Sequence, residues 1–310
     1  MDDDYVLVIG SAGIDVKGRP DGELVWETPN LGRVRNSVGG VARNIAENLA
    51  RLEIPSLLLT AVGDDTQGER VIRRTEKGGV DCSHVLSVPD ERTGTYMALL
   101  KPNGELHVAV SDFEIIRYVS PDYLREHESL FEEAAMVAID ATLSEESLAT
   151  VFELAEKCDV RVCADPTTPA LAGKLCDYID RLYLLVPNAA ETTALCGLED
   201  PAKDRETAIH AARQLVMMGT KIAVVTLGAQ GLAYADGSGG GFIRAAGVNV
   251  VDSTGAGDAL TSAVMFGLLN EVPVDEAMRL GVTAASLTLQ TRETVLPNLS
   301  QELLYDDLVV

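Results

Sequence analysis

The sequence predicts an α/β protein built on a doubly wound, mostly parallel sheet with helices on both faces. Three observations carry that expectation. Six short runs are continuously apolar, at 5–10 (YVLVIG), 56–62 (SLLLTAV), 135–140 (AMVAID), 160–165 (VRVCAD), 182–188 (LYLLVPN) and 221–228 (KIAVVTLG). Strands buried on both faces read this way. Amphipathic segments with helical spacing follow them, at 40–52, 66–78, 144–157, 203–218, 257–270 and 273–290, and such alternation puts helices on both faces of a sheet. Polar residues gather where the runs end: Asp15 shortly after the first, then Asp140, Asp165, Asn188 and Thr226. In an open parallel sheet, ligands bind outside that edge. Nothing repeats internally, so the 310 residues read as a single domain over 1–310.

The first run, VLVIGSAGIDV, carries only Gly10 and Gly13. It lacks the GxGxxG that a dinucleotide-binding oxidoreductase needs there. Segments 17–37 and 93–111 then break the alternation as shorter, half-exposed strands. TYMALLKPNGELHVAV places a Pro-Asn-Gly-Glu turn (102–105) between two alternating runs, which signals a hairpin. These pieces are expected to form a small β sheet projecting from the main one, as a lid over a site or as a dimer surface. DGSGGG (236–241) reads as a surface turn between strands.

Two glycine motifs each introduce a helix. In SVGGVARNIAENLARL (37–52), Gly39 and Gly40 precede apolar residues at 41, 45, 49 and 52, and Arg43, Asn44 and Glu47 lie off that stripe. The glycines would let a small polar ligand approach the backbone, and Asn44 can both donate and accept. An ordinary helix start with solvated polar residues fits the same pattern. In DSTGAGDAL (252–260), a helix from 258 onward would leave Gly255, Ala256 and Gly257 presenting free N–H groups at its positive end, an anion hole. Asp258 as a simple N-cap fits too. Phosphoryl transfer gives an acid there a chemical reason. The hole stabilises the moving phosphoryl group while Asp258 takes the proton of the attacking hydroxyl. The helix terminus is expected to keep Asp258 ionised and weakly basic.

The bulk composition excludes several classes. Acidic residues number 48 against 25 basic ones, a net charge of −23 that repels nucleic acid. The cysteines (82, 158, 163, 176 and 196) form no CxxC and read as reduced thiols rather than zinc ligands. The start, MDDDYVLVIG, has the wrong sign for a signal peptide. No apolar run approaches the roughly 20 residues that span a bilayer. A soluble cytoplasmic protein is expected, with neither nucleic acid nor membrane as partner. His84, His107, His127 and His210 follow no triad or metal spacing, and Trp26 reads as cover for the lid's own apolar face.

VGGVARNIAENLARL resembles the N-terminal signature of the ribokinase, or PfkB, family of carbohydrate and nucleoside kinases, and DSTGAGDALTSAVMFGLL resembles its C-terminal one. The resemblance spans nearly the whole chain and implies a ribokinase-like fold with a β lid. It implies transfer of the γ-phosphate of ATP to a hydroxymethyl group of a sugar or nucleoside. On that resemblance Asp258 matches the catalytic base, and the backbone of Gly255, Ala256 and Gly257 matches the anion hole. Asp15, Gly39, Gly40 and Asn44 match positions that hold sugar hydroxyls. Asn188 and Glu191, in PNAAE, match a motif that organises Mg2+ and phosphates through water. Thr226, Gly228 and Gly231, in TLGAQG, match the nucleotide loop. Asp252 matches a ligand of a K+-like ion whose other ligands would be carbonyls near 284–292.

Within the family, ETPNLGRVRNSVGGVARNIAENLARL, TGTYMALLKPNGELHVAVSDFEII and ETVLPNLS are similar to the pseudouridine kinase subgroup. Thr28-Pro29-Asn30-Leu31-Gly32 shuffles that subgroup's loop, which makes Asn30 a substrate candidate, as is Asp112 after the second lid strand. Pseudouridine is the acceptor this implies, with ribose, another nucleoside or a ketose as alternatives. A kinase-like regulatory subunit would have no need of the acid in GAGD. Lids in this family pair, which implies a homodimer through the lid.

Overall fold

Alternate residues of the first strand enter different apolar layers, and that parity organises the fold. The computed structural model of the chain describes residues 5–102 and 106–309. In it β1 (Tyr5–Ile9) sends Val6 and Val8 into one core and Leu7 and Ile9 into another, all fully buried. The remaining strands are β2 (Gly13–Pro20), β3 (Gly32–Gly39), β4 (Ser56–Leu59), β5 (Ala61–Gly63), β6 (Leu86–Val88), β7 (Gly94–Leu100) and β8 (Leu106–Asp112). They continue with β9 (Ala134–Asp140), β10 (Val162–Asp165), β11 (Leu184–Leu185), β12 (Ile222–Thr226), β13 (Gly231–Asp236) and β14 (Gly239–Arg244).

The main sheet runs β14-β13-β12-β11-β10-β9-β1-β4. It is parallel from β4 to β12, and β13 and β14 close it antiparallel. Helices Glu145–Lys157 and Arg205–Met217 pack on the layer holding Leu7 and Ile9. Helices Val41–Arg51, Ala256–Leu269 and Val274–Thr288 pack on the layer holding Val6 and Val8. The α/β class and each predicted helix are present. No helix among the described residues is long and apolar enough to cross a membrane.

Some expectations need correction. The run at 56–62 is two strands, because the chain changes partner at Thr60: β4 stays on β1 while β5 pairs with β6. Short helices at Pro121–Glu126, Ala189–Cys196 and Gln301–Asp306 were not predicted, being too brief to show a period.

A second sheet has the order β3-β2-β7-β8. Its strands start at Gly13 and end at Asp112, beyond the predicted bounds, because pairing continues from Gly13 to both Gly39 and Gly94. The predicted Pro-Asn-Gly-Glu turn falls largely on 103–105, outside the described residues. Register places Ser37, Asp15, Tyr96 and Ser111 in one row across one face. On the opposite face Val34, Met97, Val108 and Val110 are exposed.

β1 has β4 on one side and β9 on the other, so the order of winding reverses there and a crevice opens at the strand ends. Asp140, at the end of β9 and fully buried, holds that crevice together. Its Oδ2 accepts from Ser11 N (2.8 Å), Ser11 Oγ (2.6 Å) and Ala42 N (3.1 Å). Its Oδ1 accepts from Thr142 N (3.0 Å) and the Thr142 hydroxyl. An amide in its place would turn an NH2 against donors. Asp140→Asn is therefore expected to cost about 2–4 kcal/mol of stability, read as a lowered urea midpoint with an unchanged slope.

Candidate active site

The two glycine-led helices begin differently, and the difference marks the site. At Val41–Arg51 the protein fills the helix terminus itself. Val41 N donates to Ser11 Oγ (3.0 Å), Ala42 N to Asp140 Oδ2 and Arg43 N to Ser11 O (3.1 Å). No anion is needed there. At Ala256–Leu269 no side chain caps the helix, and among the described residues no acceptor takes the N–H of Ala256, Gly257 or Asp258. That terminus is an open, positive cradle.

The second helix also starts two residues earlier than expected. Gly255 is the N-cap, in the left-handed region (φ 84°), and Asp258 is the third helical residue rather than the cap. A Cβ at Gly255 would overlap the Thr294 carbonyl. Gly257 differs: it is exposed, with open space where a Cβ would stand, so an anion can approach its backbone.

Both starts border a cleft of about 820 Å3 at the ends of β1, β9 and β10, walled by the second sheet. Asp15, Gly40, Asn44, Asp112, Gly255 and Asp258 line it, as the sequence suggested. Gly39 does not: it lies beneath Asp15, whose carboxylate occupies the space of a Cβ. Arg43, Asn44 and Glu47 are buried, not solvated: the Ala256–Leu269 helix meets Asn44, while Arg43 and Glu47 face Thr75 and Gly78 at the end of the Thr66–Lys77 helix. Arg43 pairs with Glu47 and donates to Thr75 Oγ1 (3.1 Å) and Asn44 Oδ1 (2.8 Å). A guanidinium can only donate, so it fixes the orientation of the amide. Asn44 Nδ2 is left to donate to Asp258 Oδ2 at 2.7 Å.

Burial, with the fields of Asp15 and Asp140, pushes the Asp258 carboxyl up to about 7 against the pull of Asn44 and Arg43. The expectation of a weakly basic carboxylate is thereby corrected, since desolvation outweighs the helix terminus. Burial likewise pushes Asp15 up to about 6, opposed by Lys17 and Arg43. Asp165 is driven well above the usual carboxylate range by burial, then by Asp258, Glu191 and Asp140.

Asn188 and Glu191 form a capping box. Asn188 Oδ1 accepts from Ala190 N and Glu191 N (both 2.9 Å), and the Glu191 carboxylate accepts from Asn188 N (2.8 Å) and Nδ2 (2.7 Å). Thr226 bridges to Asn188 across β12, and Gly228 follows in the left-handed region (φ 55°) with open space beside it. None of these four residues is among those that line the cleft. Gly231 is buried where β13 meets β14, and a Cβ there would overlap the Ile243 carbonyl, so it serves the turn rather than a ligand. Among the described residues no acid, histidine or cysteine cluster could hold a metal by itself. Asp258 and Glu191 each act on the buried Asp165, and carboxylates are the hard-oxygen ligand type that Mg2+ takes when it is shared with phosphates and water.

Other candidates stand elsewhere. Asn30 closes its own exposed loop through Val25 N (2.8 Å), Val25 O (2.8 Å) and Thr28 O (3.0 Å), away from the cleft walls. Trp26 is 74% exposed, with its ring centroid 5.9 Å from that of His107. Asp252 lies at the anion hole's approach, but its Oδ2 is paired with Lys17 Nζ at 2.8 Å while Oδ1 accepts from Thr254 N (2.9 Å). Burial raises that carboxyl, but these partners more than offset it and hold it below the usual range.

Sequence reasoning missed Tyr96, Thr142, Thr167 and Lys174, all in the cleft wall. Thr142 and Thr167 each sit two residues past a strand-terminal aspartate, a signal that was legible. Tyr96 follows only from its register beside Asp15. Lys174 Nζ donates to Leu143 O (2.8 Å) and Ala141 O (3.3 Å), which places a cation at the loop after β9.

The pfkB family carbohydrate kinase pattern matches residues 3–301. The chain is 34% identical over 298 residues to the pseudouridine kinase of Escherichia coli (strain K12), covering 96% of this chain and 94% of that one. It is 29% identical to the guanosine-inosine kinase of Exiguobacterium acetylicum, covering 93% and 95%. A solved carbohydrate kinase from Agrobacterium tumefaciens matches with a TM-score of 0.82 at 28% identity, covering 98% and 96%.

The site predicts an inverse relation between Asp258 and stability. The unfolded carboxyl ionises near 3.9, roughly, and the folded one near 7. Between those values the folded state holds the extra proton, so ionisation opposes folding increasingly as pH rises. Asp258→Asn is expected to melt above the wild type at pH 8, with a smaller gap at pH 5. A gap that did not vary with pH would remove this titration.

Proposed function

The chain belongs to the pfkB family of carbohydrate kinases, and from that premise we propose that it transfers the γ-phosphate of ATP to the 5′-hydroxymethyl group of pseudouridine. Membership makes it an ATP-dependent kinase of sugars or nucleosides. The likeness to the E. coli pseudouridine kinase, sustained over 96% of the chain, carries the choice of acceptor. The chemistry rests on one observation: a buried aspartate stands in the first turn of an uncapped helix, inside the cleft.

Asp15, Asn44 and Gly40 hold the acceptor's hydroxyls, with Tyr96 and Asp112 at the wall. Asp258 takes the proton from the attacking oxygen. Pushed up to about 7, it is a better base near neutrality than an exposed carboxylate. The N–H groups of Ala256 and Gly257, led by Gly255, stabilise the charge of the phosphoryl group in flight. Asn188, Glu191, Thr226 and Gly228 form the nucleotide shelf. Mg2+ bound near Glu191 would neutralise phosphate charge. Arg43 acts through Asn44, whose amide it orients. The second sheet serves as a lid that keeps water from the phosphoryl group.

The second sheet's apolar outer face (Val34, Met97, Val108 and Val110) fits a second copy of the chain, giving a homodimer. Reduced thiols and a supply of ATP fit a cytoplasmic enzyme. Val110→Lys is expected to halve the mass seen by light scattering; an unchanged mass would discard the lid as interface.

ADP release with Mg2+ and ATP, measured across pseudouridine, uridine, guanosine, adenosine, ribose and fructose 6-phosphate, tests the acceptor. Pseudouridine is expected to give the highest kcat/KM. A preference for guanosine would keep the kinase chemistry and move the substrate towards the second relative. Asp258→Asn is expected to lower kcat by on the order of 10²–10⁴-fold while nucleotide still binds. In the wild type kcat should rise with pH to a plateau above about 7.

A further inference from the structure

Asp252 stands six residues before Asp258, in the loop that delivers Gly255 to the helix terminus. Its position matches a ligand of a free monovalent cation. The surroundings in this chain do not fit such an ion. Asp252 Oδ2 accepts from Lys17 Nζ at 2.8 Å, and the two side chains are only 20% and 9% exposed. A buried ammonium is costly unless paired, so this contact is built rather than incidental. The Leu289 carbonyl, from the segment expected to complete an ion site, instead accepts Val251 N at 2.8 Å and Asp252 N at 3.4 Å.

The approach to Asp252 opposes a free cation as well. The adjoining cleft, about 830 Å3 between the second sheet and the Val250–Asp252 loop, is lined by Lys17, Arg19, Arg33, Arg35 and Arg292. Asp21, Asp252 and Glu293 are the acids that line it. In a chain of net charge −23 this is a local reversal of sign, and a small cation would meet a repulsive mouth before reaching its carboxylate.

We propose that the Lys17 ammonium is a built-in monovalent cation: it occupies the coordinating side of Asp252, supplies the positive charge behind the anion hole, and makes the enzyme independent of free K+. A lysine head group is a compact point charge on a flexible stem, suited to standing in for an alkali ion. Lys17 is not among the residues that line the main cleft. It is a positioning residue that acts through Asp252 on the loop carrying Ser253, Thr254 and Gly255. The inference rests on the kinase reading of the site.

The test compares wild type, Lys17→Met and Lys17→Ser in KCl and in N-methylglucamine chloride at equal ionic strength. The serine variant opens a space where the ammonium stood. Wild-type turnover is expected to differ less than twofold between the salts. Each variant is expected to lose at least tenfold in N-methylglucamine and to recover at least tenfold of activity in KCl. A merely structural salt bridge predicts the loss without recovery by K+. The second readout is melting temperature without substrates. The wild type should be indifferent to the choice of salt, and the variants should gain a K+-specific rise. That arm decides the matter even if no acceptor in the panel is turned over, so failure of the kinase reading stays separate. Strong K+ activation or K+-specific stabilisation of the wild type would overturn the proposal, as would variants as indifferent to K+ as the parent.

Discussion

The carboxylate of Asp140 is the constraint on which the site depends. Five donors from three separate segments converge on it: two from Ser11, one from Ala42 and two from Thr142. Together they fix the end of β1, the first turn of the Val41–Arg51 helix and the loop after β9. Inside a low-dielectric interior such a network is strong when complete and costly when broken. The helix it anchors carries Arg43 and Asn44, and Asn44 holds the carboxylate of Asp258. The geometry of Asp258 is thus inherited from an aspartate that does not line the cleft.

Much of this was legible in the sequence, for a local reason. A buried parallel strand announces itself as an apolar run, and a helix as a periodic stripe, so the core strands and the longer helices could be read off. The aspartates at strand ends and the two glycine motifs located the crevice. What stayed hidden depends on partners distant in the chain. Thr60 marks a change of strand partner that no local pattern records. Tyr96 reaches the cleft through its register with Asp15. Arg43 and Glu47 look like a solvated face until the end of the Thr66–Lys77 helix, with Thr75 and Gly78, lies against them. Asn30 and Gly231 illustrate the converse: residues of the expected type, placed in the expected segment, whose hydrogen bonds or packing serve their own turns.

The site is also where the fold works against itself. Asp15, Asp165, Glu191 and Asp258 converge with Asp140 in a protein already rich in acid, and burial raises the first four above their ordinary range. A chain selected only for stability would pair or remove them. Their presence is tolerable because Asp140 is fully hydrogen-bonded, Arg43 lies buried nearby and an open helix terminus faces the cleft.

Strand β2 carries one further consequence. Asp15 and Lys17 are two residues apart on one face of it, a spacing of about 7 Å along a pleated strand. The first looks into the cleft and the second grips the loop that leads to the uncapped helix terminus. With β3 on one side and β7 on the other, β2 behaves as a stiff rod between two seats. Anything in the cleft that lifts the sheet would also pull on that loop. A displacement at one end of the rod is thereby carried to the other, so the cleft beside Asp15 and the loop held by Lys17 do not move independently.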